Sequence, residues 1–322
     1  MRYIVTGGSG FTGVYLCRAL AKRGKQVAVF DLNPPPADLQ DLVDFVQGDV
    51  RSADDLARLR LAPGDVVFHL AARQFYGAVP RLGRDAWFAD VNVGGTQAAV
   101  DAMRKGGATD VVFFSTDMTY GRPQCTPVPE DHPQNPIGPY GKSKKRAEEI
   151  LLAARDKDGL RSTIFRPRLI SGAGRLGILV KLFDLVRRGL PVPMIGAGKN
   201  RYQMVAVEDC VQAAICAVEK ELPAGPFNLG SHAPPTVREL LEDLIKRAGS
   251  KSILVPAPAG AVQAVLRAMD ALGMTLLYPE QFAIANIDYV LDTSKASEEL
   301  QWTPTRNDAD IIFDAYRECC GE

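Results

Sequence analysis

Short runs of apolar and β-branched residues alternate with longer amphipathic stretches through the first half of the chain. The runs at 3–6 (YIVT), 26–31 (QVAVFD), 43–49 (VDFVQGD), 65–71 (DVVFHLA), 110–115 (DVVFFS) and 162–167 (STIFRP) predict strands. Between them, segments 11–23, 52–60, 85–106 and 140–155 read as helices. Nearly continuous apolar strands joined by helices predict a parallel sheet covered on both faces. The fold class is therefore α/β, a doubly wound sheet of Rossmann type, with ligands beyond the carboxyl ends of its strands.

After Pro167 the pattern changes, and loops rich in proline and glycine dominate. Segment 175–188 has helical apolar spacing, 191–201 reads as a loop, and 202–220 as a short strand running into a helix. Stretches 227–231, 236–249 and 291–302 continue the mixed pattern. This organisation predicts a Rossmann domain over 1–170 and a smaller α/β substrate domain over 171–322. The chain is expected to cross back to the first domain near 203–231. The most apolar late segment, 262–279, is interrupted by Arg267 and Asp270, and predicts a partly buried helix rather than a membrane span.

Charge adds an exclusion. Thirty-eight Lys and Arg balance 38 Asp and Glu, so no basic excess points to nucleic acid or an anionic membrane. The six cysteines, Cys17, Cys125, Cys210, Cys216, Cys319 and Cys320, form no CxxC and no metal-spaced cluster, so no metal is expected. A reduced, cytoplasmic setting fits them, and the chain opens directly on a strand with no secretory signal.

Chemistry enters at VTGGSGFTG, between the first strand and first helix. Gly7, Gly10 and Gly13 permit a tight turn and let the backbone approach a pyrophosphate at the helix N-terminus, where Phe11 and Thr12 follow. The competing reading is a glycine-rich turn without a ligand. Asp31, closing the second strand, is placed to accept two ribose hydroxyls and repel a 2′-phosphate. Asp49, followed by Val50, is placed to reach an adenine amino group, or else to cap the helix from Ser52. The small residues of HLAA bring the backbone of Leu70, Ala71 and Ala72 close to a dinucleotide. Together these select NAD over NADP.

At the other end of the site, Tyr140 and Lys144 stand four residues apart and share a helix face. An ammonium beside a phenol favours the phenolate, and such a tyrosine serves as general base for an alcohol. A hydroxyl from Ser115 or Thr116 could hold the substrate oxygen. The alternative is a solvated helix start after Pro139.

With TGGSGFTG, Asp31, GDV, HLAA, NVGGT, STDMTYG, YGKSK, FRP, VAVEDC, FNLGS and LDTSKASEELQW in order, the chain resembles the extended short-chain dehydrogenase/reductases, the nucleotide-sugar epimerases and dehydratases among them. The resemblance implies tightly held NAD and a small-molecule substrate, with Tyr140 as catalytic base, Lys144 as its partner and Thr116 orienting the reacting hydroxyl. Ser115 stands behind Thr116, and Asn92 and Pro167 flank the cofactor. It further implies a homodimer built on helices 85–106 and 140–155, with Trp87 and Phe88 on the apolar face of the first.

STDMTYG is similar to the STDEVYG of 4,6-dehydratases, whose Asp acts as acid and Glu as base. Asp117 matches the acid, but Met118 stands where the base belongs, and a thioether cannot abstract a proton. Epimerisation, at C4 through a keto intermediate, needs only Thr116, Tyr140 and Lys144. A dehydrogenase or reductase of a sugar or a 3β-hydroxysteroid-like alcohol uses the same three residues. Many nucleotide-sugar members carry an arginine at the position of Tyr202, and here Arg201 is displaced by one. Arg168 could contact a diphosphate or lie on the surface. Gln74, Phe75 and Tyr76 are candidate substrate contacts along with Asp117 and Met118. His69 reads as structural, and His132 and His232 lie in proline-rich loops. A non-catalytic NAD sensor is the reading from another class, disfavoured by the intact trio.

Overall fold

The computed structural model describes residues 1–75, 79–174 and 179–321. Strands β1 (Tyr3–Thr6), β2 (Val27–Asp31), β3 (Asp44–Gln47), β4 (Val66–His69), β5 (Asp110–Phe114), β6 (Arg161–Pro167) and β10 (Phe227–Leu229) make one sheet. The remaining strands are β7 (Leu169–Ser171), β8 (Val192–Ile195), β9 (Met204–Ala206) and β11 (Leu254–Ala257), paired as β7 with β9 and β8 with β11. The helices are α1 (Phe11–Lys22), α2 (Ala37–Gln40), α3 (Ala53–Ala57), α4 (Arg84–Ala89), α5 (Thr96–Gly106), α6 (Pro139–Asp158), α7 (Leu179–Arg187), α8 (Val207–Glu219), α9 (Val237–Arg247), α10 (Ala259–Ala271), α11 (Pro279–Phe282), α12 (Ser294–Leu300) and α13 (Asp308–Cys320).

The large sheet runs in the order β10-β6-β5-β4-β1-β2-β3, with every pair parallel. This is the Rossmann order with one strand added, and it reverses direction between β1 and β4. The crevice at their carboxyl ends is where the site must lie. The added strand β10 comes from beyond residue 200 and pairs with β6, so the late chain completes the early sheet.

Two apolar layers cover the sheet. One seats α1 and α8 on Val5, Val29 and Phe68, and Trp302 closes its edge. The other packs α3, α5 and α6 on Ile4, Phe30, Val67 and Phe113. A third cluster joins α7, α9 and α13 around Phe183, Leu244 and Tyr316. Among the described residues, no helix is long and apolar enough to cross a membrane.

Local departures from the sequence pattern have physical causes. Strand β3 is an edge, and Asp44, Phe45 and Gln47 stay exposed, so its apolar run is shorter than the interior strands. The predicted helix 85–106 is interrupted by a π-helical stretch, Asp90–Gly95, between α4 and α5. Gly95 faces Val50 there, and a Cβ on it would lie 2.6 Å from the Val50 Cγ1. In segment 175–188 the described helix is α7, and residues 175–178 lie outside the described residues. On α10 only Leu266 is buried.

Candidate active site

The glycine loop is shaped by two close approaches. Gly7 has φ +71°, and a Cβ there would lie 2.7 Å from the Ala71 amide nitrogen, so the loop runs against the backbone of Leu70 and Ala71. A Cβ on Gly13 would lie 2.3 Å from the Gly7 carbonyl oxygen, so α1 seats directly on the loop. Gly10 begins α1 without a side-chain cap, and the first turn has no acidic residue. The leading N–H groups there have no intrahelical acceptor, and Phe11 and Thr12 are half-buried beside them. That arrangement suits a pyrophosphate.

Asp31 faces this loop from the end of β2. Its carboxylate accepts from Ser9 N at 3.1 Å and from Asn33 N at 3.1 Å. Two single contacts leave lone pairs for ribose hydroxyls. The residues present therefore fit a dinucleotide with a free 2′-hydroxyl. Asp49 is engaged differently: the Arg51 guanidinium holds it at 2.5 Å and lowers its carboxyl from the usual range. It does not cap α3, since the Ser52 hydroxyl accepts from Asp55 N at 3.2 Å in that role. Val50 is buried against the π-helical stretch.

A chain of hydrogen bonds crosses the crevice. His69 Nδ1 lies 2.8 Å from Thr6 Oγ1, and Nε2 lies 3.0 Å from Thr96 Oγ1. Thr96 donates to the Asn92 carbonyl at 2.7 Å, so it accepts from Nε2–H, and Thr6 donates to Nδ1. Burial, and Lys144 nearby, push His69 down to about 3, so the imidazole is neutral. Its role is structural. The Asn92 side chain then ties the Arg73 backbone, through Arg73 N at 2.7 Å and Arg73 O at 3.1 Å, to Ser143 at 2.9 Å. The π-helical stretch aims Asn92 at α6, and such stretches concentrate at functional sites.

Helix α6 carries Tyr140 and Lys144 on one buried face. Lys144 lies with Nζ 4.1 Å from the Phe113 ring centroid. Burial pushes its amine down to about 7, and Glu148 one turn on opposes that shift. Glu148 was missed by the sequence reading. It pairs with Arg166 at 2.6 Å, both being buried, accepts from Gln134 at 2.9 Å, and accepts a short hydrogen bond from the Ser115 hydroxyl. Arg166 continues to Tyr120 OH at 3.0 Å, and Tyr120 to Asn228 on β10 at 2.7 Å. Thus Ser115 anchors β5 to α6, and Pro167 is buried at the end of β6, next to Arg166 of this network.

Thr116 N-caps a 3-10 turn, Asp117–Thr119. Its hydroxyl accepts from Met118 N at 3.3 Å and donates to Asp117 at 3.1 Å. The start of α6 rests on this turn, because a Cβ on Gly141 would lie 2.5 Å from the Met118 carbonyl oxygen. Thr116, Asp117, Met118 and Tyr140 thereby share one rim.

Asp117 forms an ion pair with Arg168 at 2.6 Å, and both are buried. The surface reading of Arg168 is corrected: its guanidinium lies over Tyr289 at 4.4 Å and near Tyr202 at 5.7 Å. Arg201 is instead half-exposed and paired with Asp288 at 2.6 Å. Phe88 is also corrected. It is fully buried within this chain, 5.6 Å from the Tyr140 ring and 5.4 Å from Phe75, so it cannot present a dimer face. Trp87 lies under the Arg73 guanidinium at 4.8 Å. Phe75 stacks edge-on to Tyr140 at 5.2 Å, Gln74 is half-buried beside it, and Tyr76 lies outside the described residues. His132 accepts from Gln124 N at 3.0 Å and serves its own loop.

Comparison with known proteins decides the family. The model of the NAD dependent epimerase/dehydratase family matches residues 3–230. The chain belongs to that family. It is an NAD-dependent enzyme of the epimerase/dehydratase kind. An uncharacterized protein, y4nG, of Sinorhizobium fredii is 36% identical, covering 97% of this chain and 77% of its own. The UDP-glucose 4-epimerase of Lactobacillus helveticus is 29% identical over 97% of this chain and 95% of its own. Among solved structures, the UDP-glucose 4-epimerase of Thermotoga maritima, determined with UDP-glucose, is 26% identical. It has a TM-score of 0.79 and covers 100% of this chain and 99% of its own.

Proposed function

We propose that this enzyme is a nucleotide-sugar 4-epimerase. Asp117 carries the reading: its carboxylate is held in a buried ion pair with Arg168 at 2.6 Å, turned to that guanidinium rather than offered to a leaving hydroxyl. With Met118 beside it, elimination lacks both acid and base. What the rim retains is the hydroxyl, phenol and amine needed for hydride chemistry at a secondary alcohol.

Bound NAD supplies the hydride acceptor and donor. Tyr140 removes the proton from the sugar 4-hydroxyl and returns it after the keto sugar has turned. Lys144, buried and near neutrality in its titration, stabilises the phenolate electrostatically. Thr116 turns its proton from Asp117 to the substrate oxygen, donates to it and fixes its orientation. Gly7, Gly10, Gly13 and Asp31 hold the dinucleotide, with Leu70, Ala71 and Ala72 beneath it. Gln74, Arg168 and Tyr202 are substrate contacts in this reading, and the end-to-end match to UDP-glucose 4-epimerases supports a UDP-sugar. A cytoplasmic homodimer completes it, with the π-helical stretch and α6 nearest the partner.

The test incubates the purified protein with UDP-glucose, UDP-galactose, UDP-N-acetylglucosamine and UDP-glucuronate, without added cofactor, and resolves products by NMR. A C4 stereoisomer with no net NADH is the expected product, and Tyr140→Phe should abolish it while retaining NAD. Turnover only of a non-sugar alcohol with added NAD would replace this reading with a dehydrogenase or reductase.

A further inference from the structure

Helix α6 begins with Gly138 as its N-cap, which has no side chain to satisfy the first N–H groups. A distant carboxylate does so instead. Glu280 on α11 accepts from Tyr140 N at 3.3 Å and from Gly141 N at 3.3 Å. It is buried, and a Cβ on Gly138 would lie 2.5 Å from its carboxyl carbon, so glycine at 138 makes room for it. The same segment reaches the tyrosine's other end: Tyr278 stacks on Phe75 at 4.6 Å, and Phe75 packs edge-on against the Tyr140 ring at 5.2 Å. Arg84 pins that segment, pairing with Asp270 at 2.7 Å and lying over Tyr278 at 5.1 Å.

We propose that Glu280 is a positioning residue for Tyr140, fixing the first turn of α6 against the Thr116–Met118 turn while its neighbour Tyr278 fixes the phenol ring through Phe75. The C-terminal segment thus grips the base at its backbone and at its side chain. The epimerase reading supplies one readout for this role but not the others.

Burial raises the Glu280 carboxyl to about 7, against the pull of the two N–H donors and Lys142. The charged and titratable groups around it are Lys142 on α6, Asp85 and Arg84 on α4, and Tyr278 just ahead of α11. The cap therefore changes charge near neutrality. A carboxyl raised in the folded state contributes stability that is fully present below about 4.5 and lost as pH rises through about 7.

NAD-saturated protein labelled with 15N-tyrosine provides the test without a substrate. The Tyr140 amide resonance, assigned by its loss in Tyr140→Phe, should move with a midpoint near pH 7. In a Lys144→Met background, which removes the other group titrating near 7, it should not titrate there once Glu280→Gln is added, a change that keeps an acceptor but no charge. Melting temperatures should show Glu280→Gln gaining on wild type between pH 5 and pH 8. In UDP-glucose/UDP-galactose interconversion, Glu280→Ala should lower kcat about tenfold or more at little-changed KM, and Glu280→Gln should restore most of it. A Tyr140 titration unchanged by Glu280→Gln in that background overturns the proposal. So does an Ala variant with wild-type kcat and pH profile. If wild type converts neither sugar, the epimerase reading fails and the amide titration still judges Glu280.

Discussion

Replacing Gly141 by alanine tests the contact on which the rim depends. In an isolated helix the change would stabilise by up to about 1 kcal/mol, because alanine is the better helix former. Here the new Cβ would lie 2.5 Å from the Met118 carbonyl oxygen and 3.0 Å from Pro136 Cβ. A backbone carbonyl in a capped turn cannot step aside as a side chain can, so α6 or the turn must shift. Overpacking of this kind costs about 1–3 kcal/mol, which leaves a net loss of up to about 2 kcal/mol. For a chain of this size that is up to roughly 3 °C in melting temperature. The displacement falls between Tyr140 and Thr116, and a shift of about 1 Å between reacting groups lowers turnover about 100-fold. Gly260→Ala on α10 is the control. Nothing lies within 4 Å of its Cβ, so the same chemical change should stabilise by about 0.5–1 kcal/mol and leave turnover alone. Differential scanning calorimetry and the NMR product assay read both variants. If Gly141→Ala melts as high as Gly260→Ala and keeps wild-type turnover, the close packing of α6 on the Thr116–Met118 turn is refuted.

Other expectations concern single groups. Lys144 has a folded value depressed to about 7, so the stability it contributes is present above its unfolded value near 10.5 and lost as pH falls through 7. Lys144→Met should therefore gain about 3 kcal/mol on wild type between pH 9.5 and pH 7, read by chemical denaturation at both pH values. Asp31→Asn should weaken NAD binding about tenfold and narrow the preference over NADP, measured by fluorescence titration, because the repelling charge is gone. Arg168→Met leaves Asp117 buried without its partner and should cost about 3–5 kcal/mol, whereas adding Asp117→Asn should recover part of that loss in the same denaturation assay.

The sequence alone was enough for everything that depends on neighbours within one element. Alternating apolar runs and helices specified a parallel sheet, and the glycines of VTGGSGFTG marked a backbone that must pass close to other backbone. The spacing of Tyr140 and Lys144 set them on one face of a helix, since 3.6 residues per turn leaves no other result. The tertiary structure decided which charges meet. Glu148 and Arg166 became a buried pair, Arg168 turned inward onto Asp117, Arg51 occupied Asp49, and Phe88 went under Tyr140 rather than to the surface. Glu280 reached the start of α6 from 140 positions away. A helix repeat fixes where a side chain points along its own axis, but not which distant strand or loop the chain will later lay against it. Those pairings form only once the sheet order and the return of the C-terminal half have set the distances.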